Sequence, residues 1–336
     1  MQIQKKLSRQ LAKKNLKAFL VTSPANVHYL TGHDFGGDAF CLLFQNKIYV
    51  LTDRRYENVK LSACELVIVR KKLALELKNI LGKIKKLAVE DSFTLRQVKK
   101  LGNYKLIAKV GLIEELRMLK STDEIKEITK ACQLTKEAFR MIEKKLKGGM
   151  TERQIAWEME KFVRERGADA LAFTPIVASG ENGAKAHAVL TDRKLKEGDL
   201  VTIDFGVKVA GYHSDMTRTY QIGKISKKQA EILSLVKRAQ KEALKIIKPG
   251  IELSKIDQVA RKVIEQPGYA KFFSHATGHG MGLEIHEEPR ISLKSRGKVQ
   301  AGMVFTIEPG IYLPDCGVRW EDTVLVRKKG YKKLTS

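Results

Sequence analysis

Long apolar runs are missing from this sequence. None approaches the roughly 20 residues that a membrane-spanning helix needs, so a membrane protein is excluded. The apolar stretch Ala18 to Val21 is too short for the core of a secretion signal, and Met1 to Gln10 is polar and lysine-bearing. Cysteine is scarce. The four cysteines, Cys41, Cys64, Cys132 and Cys316, lie far apart with no C-x-x-C and no zinc-ligand spacing. A disulfide-stapled scaffold is thereby excluded, and reduced thiols in a cytoplasmic protein are expected. With 43% hydrophobic residues and seven prolines, the chain is neither disordered nor collagen-like. Acidic residues are outnumbered, 38 against 63 lysines and arginines, leaving a net charge of +25. Such a balance can serve nucleic acid or an anionic surface. Here the basic residues form no block and recur as short groups such as Arg70–Lys71–Lys72, Lys144–Lys145 and Lys328–Lys329. They read as solvated faces, and nucleic acid is not expected as a partner.

The 336 residues suggest two domains, each large enough to bury a core. Residues 3–14 have helical spacing, and Lys17–Thr22, Ala39–Phe44, Lys47–Thr52, Glu65–Val69, Leu87–Glu90 and Leu106–Val110 read as strands. That pattern predicts a small α/β domain over residues 1–114 and a second domain over 115–336. In the second, Ser121–Thr122–Asp123 starts a long helix running to Gly148–Gly149. Thr151 with Gln154, and Ser226 with Gln229, form capping boxes. The helix after Ser226 is expected to stop at Pro249–Gly250, and Ser254 to start the next.

The second domain carries an internal repeat. Gly198-Asp-Leu-Val-Thr-Ile-Asp204-Phe-Gly206 aligns with Gly302-Met-Val-Phe-Thr-Ile-Glu308-Pro-Gly310, every matched position being 104 residues apart. So large a period implies two fused halves facing each other rather than a solenoid. It would bring Asp204 and Glu308 to a shared pseudo-axis. Each half then turns, near Ala210–Gly211 and through Pro314–Asp315–Cys316–Gly317, and returns with a second acid, Asp215 or Glu321. In both hairpins the two acids are expected opposite each other, with Cβ atoms about 5 Å apart. Four converging carboxylates repel unless cations neutralise them. Two divalent metal ions held by Asp204, Asp215, Glu308 and Glu321, with His279 as a nitrogen ligand, are the economical answer. A site rich in oxygen with one imidazole suits Mn²⁺, taken first here, as well as Co²⁺, Zn²⁺ or Fe²⁺. Two such ions about 4 Å apart can hold a bridging hydroxide and polarise a carbonyl.

Three more histidines flank the acids. His187 precedes the first acidic hairpin and His286 the second, so both are candidates to hydrogen-bond a substrate carbonyl and its tetrahedral intermediate. His275 is a further substrate-side candidate. Gly278, Gly280 and Gly282 around His279 argue against a helix and permit close backbone approach.

The segments Thr202-Ile-Asp204-Phe-Gly206, Ser214-Asp215-Met-Thr-Arg-Thr219, Thr277-Gly-His279-Gly-Met-Gly-Leu-Glu-Ile-His286-Glu287, Thr306-Ile-Glu308-Pro-Gly310 and Gly317-Val-Arg319-Trp-Glu321-Asp322 resemble the pita-bread metallopeptidases. The closest branch is that of the Xaa-Pro dipeptidases (prolidases) and Xaa-Pro aminopeptidases. The resemblance extends more weakly into the first domain through Asn26-Val-His-Tyr-Leu-Thr-Gly32 and Leu51-Thr-Asp53-Arg-Arg-Tyr56. It implies a small creatinase-like α/β domain followed by a pseudo-two-fold pita-bread catalytic domain. It also implies that Asp204 binds one metal, that Asp215 and Glu321 bridge both, and that His279 and Glu308 complete the second. Glu308 would be the proton shuttle, His187 and His286 the substrate-side histidines, and Arg319 the partner of the substrate carboxylate. The alternative for Arg319 is a bridge to Glu321 or Asp322. One departure stands out: the family usually has Pro-His-Gly where this chain has Ala186-His187-Ala188. The implied substrates are proline-containing dipeptides, with Xaa-Pro aminopeptidase action on longer peptides as the alternative, and the implied assembly is a homodimer. Two further alternatives are a methionine aminopeptidase-like enzyme and a non-catalytic nucleic-acid-binding relative. The first is disfavoured by the N-terminal domain and the second by the complete ligand set.

Overall fold

The computed structural model describes residues 2–336, with side-chain surroundings given from Lys6 onward. The chain divides into two compact units, Met1–Arg117 and Met118–Ser336.

The first unit is built on one six-stranded mixed sheet. Its strands run in the order Glu65–Ile68, Lys47–Thr52, Phe40–Phe44, Ala18–Val21, Lys86–Glu90 and Lys105–Lys109. They form where the short apolar runs of the sequence place them. Helices Gln2–Lys13 and Leu73–Leu81 accompany the sheet, burying Leu7 and Leu11 on one side and Leu73, Leu77 and Leu81 on the other. The Asn26–Gly32 motif has a structural task here. The buried Glu90 carboxylate accepts from Thr22 N at 2.6 Å, Ser23 N at 2.8 Å and Asn26 Nδ2 at 2.6 Å. Asn26 Oδ1 in turn accepts from the buried Arg117 at 2.7 Å.

The second unit repeats one plan twice. Helices Thr122–Lys145 and Glu152–Arg164 pack Ala138, Ile142, Ile155 and Met159 against Val201, Ile203 and Phe205. Helices Lys227–Lys245 and Leu253–Glu265 pack Ala243, Ile256 and Ala260 against Phe305, Ile307 and Val324. Full capping boxes open three of these helices, at Ser121 with Glu124, Thr151 with Gln154 and Ser226 with Gln229. Two helix boundaries differ from expectation. The third helix ends at Lys245, short of Pro249, and the fourth starts at Leu253 with Glu252 rather than Ser254 at its cap. The intervening segment is a turn, with Gly250 at φ 94°, that leads into an extended Glu252 bridged to Lys298. Gly250 N donates to Val299 O at 2.9 Å, Val299 N to Ile251 O at 2.8 Å, and Leu253 N to Gly297 O at 3.1 Å. Helical geometry can therefore begin only after Glu252.

The paired strands follow the repeat. In the first half Leu200–Phe205 runs antiparallel to Met216–Gln221, with Asp204 opposite Thr217 and Phe205 opposite Met216. The outer hairpin, with Lys208 opposite His213, keeps the same register around a turn in which Ala210 and Gly211 both have positive φ, 49° and 83°. In the second half Ile307 faces Asp322, and beyond a short break Gly310 faces Arg319, again in one register.

Candidate metal centre

These registers fix where the acids stand. Continuing the second ladder through its break places Glu308 opposite Glu321, as expected. The first ladder differs, because Asp204 faces Thr217, and Asp215 falls opposite Gly206. Asp204 and Asp215 are thus diagonal neighbours on one face, some 7 Å apart by ordinary sheet geometry rather than about 5 Å. Moving Asp215 along by 104 residues gives Arg319, and moving Thr217 gives Glu321. The two halves therefore contribute unlike residues at equivalent places, and these meet. Thr217 Oγ1 donates to Glu321 Oε2 at 2.7 Å, and Arg218 pairs with its own equivalent, Asp322, at 2.7 Å.

His279 lies in the short strand Gly278–Gly280, between the strands Glu287–Ile291 and Val304–Ile307. A side chain at Gly278 would put its Cβ 1.9 Å from Thr306 O, and one at Gly280 would put it 2.3 Å from Glu288 O. Only glycine on both sides lets the strand carry the imidazole this deep. His279 Nδ1 donates to Gly280 O at 3.1 Å, which turns Nε2 toward the acids, 3.2 Å from Glu308 Oε1 and 3.5 Å from Asp215 Oδ2. Ligand atoms of Asp215, His279 and Glu321 all lie within 4.8 Å of one another.

The electrostatics of the protein alone show what the cluster lacks. Burial, then the charges of Glu321, Asp204 and Glu308, drive the Asp215 carboxyl well above the usual carboxylate range. Burial, then Glu308 and Asp204, do the same to Glu321. Burial would also raise Glu308, but the hydrogen bond and charge of His279, with His275 and Arg319, outweigh it and hold Glu308 at about 2. Three buried oxygens, Asp204 Oδ1, Asp215 Oδ1 and Glu321 Oε1, accept no hydrogen bond from any described residue. Unpartnered buried carboxylate oxygens are costly, and a divalent cation satisfies them. The donor set, carboxylate oxygens plus one imidazole oriented by its other nitrogen, fits such a cation.

The remaining residues surround this cluster. His286 stacks edge-on to His279, with ring centroids 4.2 Å apart. Burial and then the neighbouring His279 depress its basicity, and His187 and the acids Glu308 and Asp204 also act on it. His187 is exposed on the loop following Gly180–Ala184 and acts on His275 as well. His275 lies behind the cluster, with Nδ1 donating to Ala276 O at 2.8 Å and Nε2 2.8 Å from the Tyr312 hydroxyl. Arg319 does not make the alternative bridge to Glu321 or Asp322 and pairs instead with Asp204. Buried at 3% exposure, it pairs with Asp204 Oδ2 at 2.6 Å and donates to Ala186 O at 3.0 Å, the Tyr312 hydroxyl at 2.8 Å and Thr217 Oγ1 at 3.3 Å. Asp322, its expected alternative partner, is taken by Arg218 and Lys333. A buried guanidinium at hydrogen-bond distance from a carboxylate orients that carboxylate. Sequence reasoning missed Thr217 and Tyr312. The period of 104 residues pointed to Thr217 as the counterpart of Glu321, whereas Tyr312 carried no signal beyond its place in the hairpin.

Comparison with known proteins decides the family. The model of metallopeptidase family M24 matches residues 126–328, and that of the creatinase/prolidase N-terminal domain matches residues 4–119. The chain belongs to metallopeptidase family M24. An Xaa-Pro dipeptidase of Pyrococcus horikoshii is 37% identical over 337 residues, 98% of this chain and 96% of its own. An Xaa-Pro dipeptidase of Bacillus anthracis superposes with a TM-score of 0.96 at 33% identity, covering 100% of this chain and 97% of its own. An X-Pro aminopeptidase of Thermotoga maritima superposes with a TM-score of 0.86 at 34% identity, covering 95% of each chain. This M24 enzyme is thus a metal-dependent hydrolase with a creatinase-like first domain and a pita-bread second one, the architecture that its sequence implies. Among the described residues no helix is long and apolar enough to cross a membrane.

Proposed function

We propose that this M24 peptidase is an Xaa-Pro dipeptidase acting on proline-containing dipeptides. The observation that carries the reading is the convergence of Asp204, Asp215, His279, Glu308 and Glu321, with three of the carboxylate oxygens buried and unpartnered. The similarity to dipeptidases over nearly the whole chain supports the substrate class. The bond before proline is a tertiary amide, so a peptidase that must grip a substrate N–H there fails, and a dedicated site is required.

In this reading the five residues hold two divalent cations, Mn²⁺ first among them. When bound, such cations would supply Lewis acidity toward the scissile carbonyl and an attacking water. Glu308 accepts a proton from that water and delivers it to the departing imino nitrogen of proline. His187 and His286 donate hydrogen bonds to the substrate carbonyl as negative charge develops on it. Arg319 holds Asp204 in place, and His275, through Tyr312, supports Arg319. The domain limits proposed for these tasks are residues 1–114 and 115–336. A homodimer in the cytoplasm is proposed as its setting; its four cysteines are free thiols, as a reducing compartment keeps them.

Hydrolysis of Ala-Pro against Ala-Pro-Ala, after chelation and again with Mn²⁺, Co²⁺ or Zn²⁺, tests the reading. Metal-restored cleavage of the dipeptide alone is expected. Cleavage of the tripeptide makes the enzyme an aminopeptidase, and no cleavage by the folded protein with any of these metals overturns the peptidase assignment.

A further inference from the structure

Two fully buried acids outside the metal cluster, Glu152 and Asp257, are not explained by the reaction. Both are 0% exposed, and each lies near the start of the second helix of its half. They are 105 residues apart, within one residue of the repeat. A buried carboxylate is expensive unless it is fully hydrogen-bonded, and an apolar side chain would stabilise a helix–sheet interface at least as well.

Each acid is hydrogen-bonded, and each bonds a segment that carries histidines of the site, His187 in one half and His275 and His279 in the other. Glu152 Oε1 accepts from Ser179 N at 2.7 Å and Ser179 Oγ at 2.8 Å. Its Oε2 accepts from Asn182 Nδ2 at 2.9 Å, Thr191 N at 3.1 Å and Thr191 Oγ1 at 2.6 Å. One carboxylate thereby ties together both ends of the loop that displays His187. In the other half Asp257 Oδ1 accepts from Thr277 N at 3.0 Å and Thr277 Oγ1 at 2.8 Å, and Oδ2 from Arg261 Nε at 2.7 Å. Arg261 extends the hold, donating to Phe273 O at 3.0 Å and His275 O at 2.5 Å. This clamp fixes the strand entry that delivers His275 and, two residues beyond Thr277, His279.

We propose that Glu152 and Asp257 are matched positioning residues, the first setting the His187 loop for substrate and the second setting the His275–His279 segment for substrate and metal. The catalytic part of this inference rests on the dipeptidase reading; the clamping does not. Multiple donors on one buried carboxylate give a loop a single geometry, which is what an exposed histidine on that loop needs.

The test uses Thr191→Val and Thr277→Val, near-isosteric changes that each take one donor from a clamp, with Glu152→Gln and Asp257→Asn as stronger versions. Thr191→Val is expected to lower kcat/KM for Ala-Pro about tenfold in the wild-type background and to cost nothing further in His187→Ala. Equal losses in both backgrounds would show a merely structural role and overturn the proposal. Thr277→Val is expected to weaken Mn²⁺ binding to the chelated protein about tenfold by calorimetry, while Thr191→Val leaves it unchanged. Identical Mn²⁺ affinity in wild type and Thr277→Val overturns the second half. Hydrogen exchange provides a readout independent of turnover, residues 180–190 exchanging faster in Thr191→Val and residues 273–278 faster in Thr277→Val. Unchanged exchange contradicts the clamps. If the wild-type enzyme cleaves no Xaa-Pro bond, the dipeptidase reading fails, and exchange and Mn²⁺ affinity still decide the clamping claim.

Discussion

Arg319 Nη2 lies 2.6 Å from Asp204 Oδ2, a pair between a buried guanidinium and a half-buried carboxylate that joins the two halves of the catalytic domain. The planar fork also reaches Ala186 O, Thr217 Oγ1 and the Tyr312 hydroxyl, so one guanidinium orders the Asp204 carboxylate, the His187 loop and the opposing hairpin. A lysine ammonium cannot span these partners. Arg319→Lys is expected to reduce kcat by about 10- to 100-fold with little change in KM. A rise in KM at constant kcat would instead place Arg319 on the substrate carboxylate.

Glu308 is the residue proposed for proton transfer. Glu308→Gln keeps the volume and one oxygen but removes the base, so kcat is expected to fall by about 100- to 10,000-fold. Steady-state kinetics with saturating Mn²⁺ check this, and loss of activity restored fully by excess metal would mean that Glu308 serves only as a ligand.

Gly278 sits where a Cβ would lie 1.9 Å from Thr306 O, a backbone atom of the neighbouring strand that cannot step aside. Gly278→Ala is expected to cost about 3 kcal/mol or more of stability, read as a fall in midpoint on chemical unfolding. A wild-type midpoint would contradict the close approach on which the placement of His279 depends.

The metal-free protein should respond to pH in a defined sense. Asp215 and Glu321 have folded pKa values raised by burial and by their acidic neighbours, above an unfolded value of about 4. The folded state therefore binds protons more tightly, and stability is lost as pH rises from about 4 through the raised values. His279 acts in the same direction. Burial opposes its proton, but Glu308 outweighs burial and raises its pKa, so the stability it contributes is lost as pH climbs past that raised value. Cations remove the penalty by keeping the acids ionised and satisfied. The gain in Tm on Mn²⁺ loading is thus expected to grow between pH 5 and 7.5, and a gain that is flat or shrinks over that range would contradict the account.

Much of this was legible in the sequence because the signals were local or periodic. Ser121, Thr151 and Ser226 announce their helices through side chains three residues away, and the repeat of 104 residues brings Asp204 and Glu308 together without any coordinates. What escaped depends on register and tertiary contact. The sequence does not show that Asp215 pairs with Gly206 rather than Asp204, because that is set by a two-residue turn with Ala210 at positive φ. Glu152 reads as an ordinary first-turn acid and Asp257 with Arg261 as an ordinary surface i,i+4 pair. Only packing reveals that both are buried. Arg319 likewise carries no mark in the sequence that its donors are directed inward.

The most direct test is a titration of the chelated enzyme with Mn²⁺, counting ions bound per chain while following Ala-Pro hydrolysis in the same samples. The account predicts two ions per chain, activity that rises with their occupancy, and loss of both in Asp215→Asn and Glu321→Gln. Full hydrolysis by metal-free protein, or by variants that bind no ion, would contradict it.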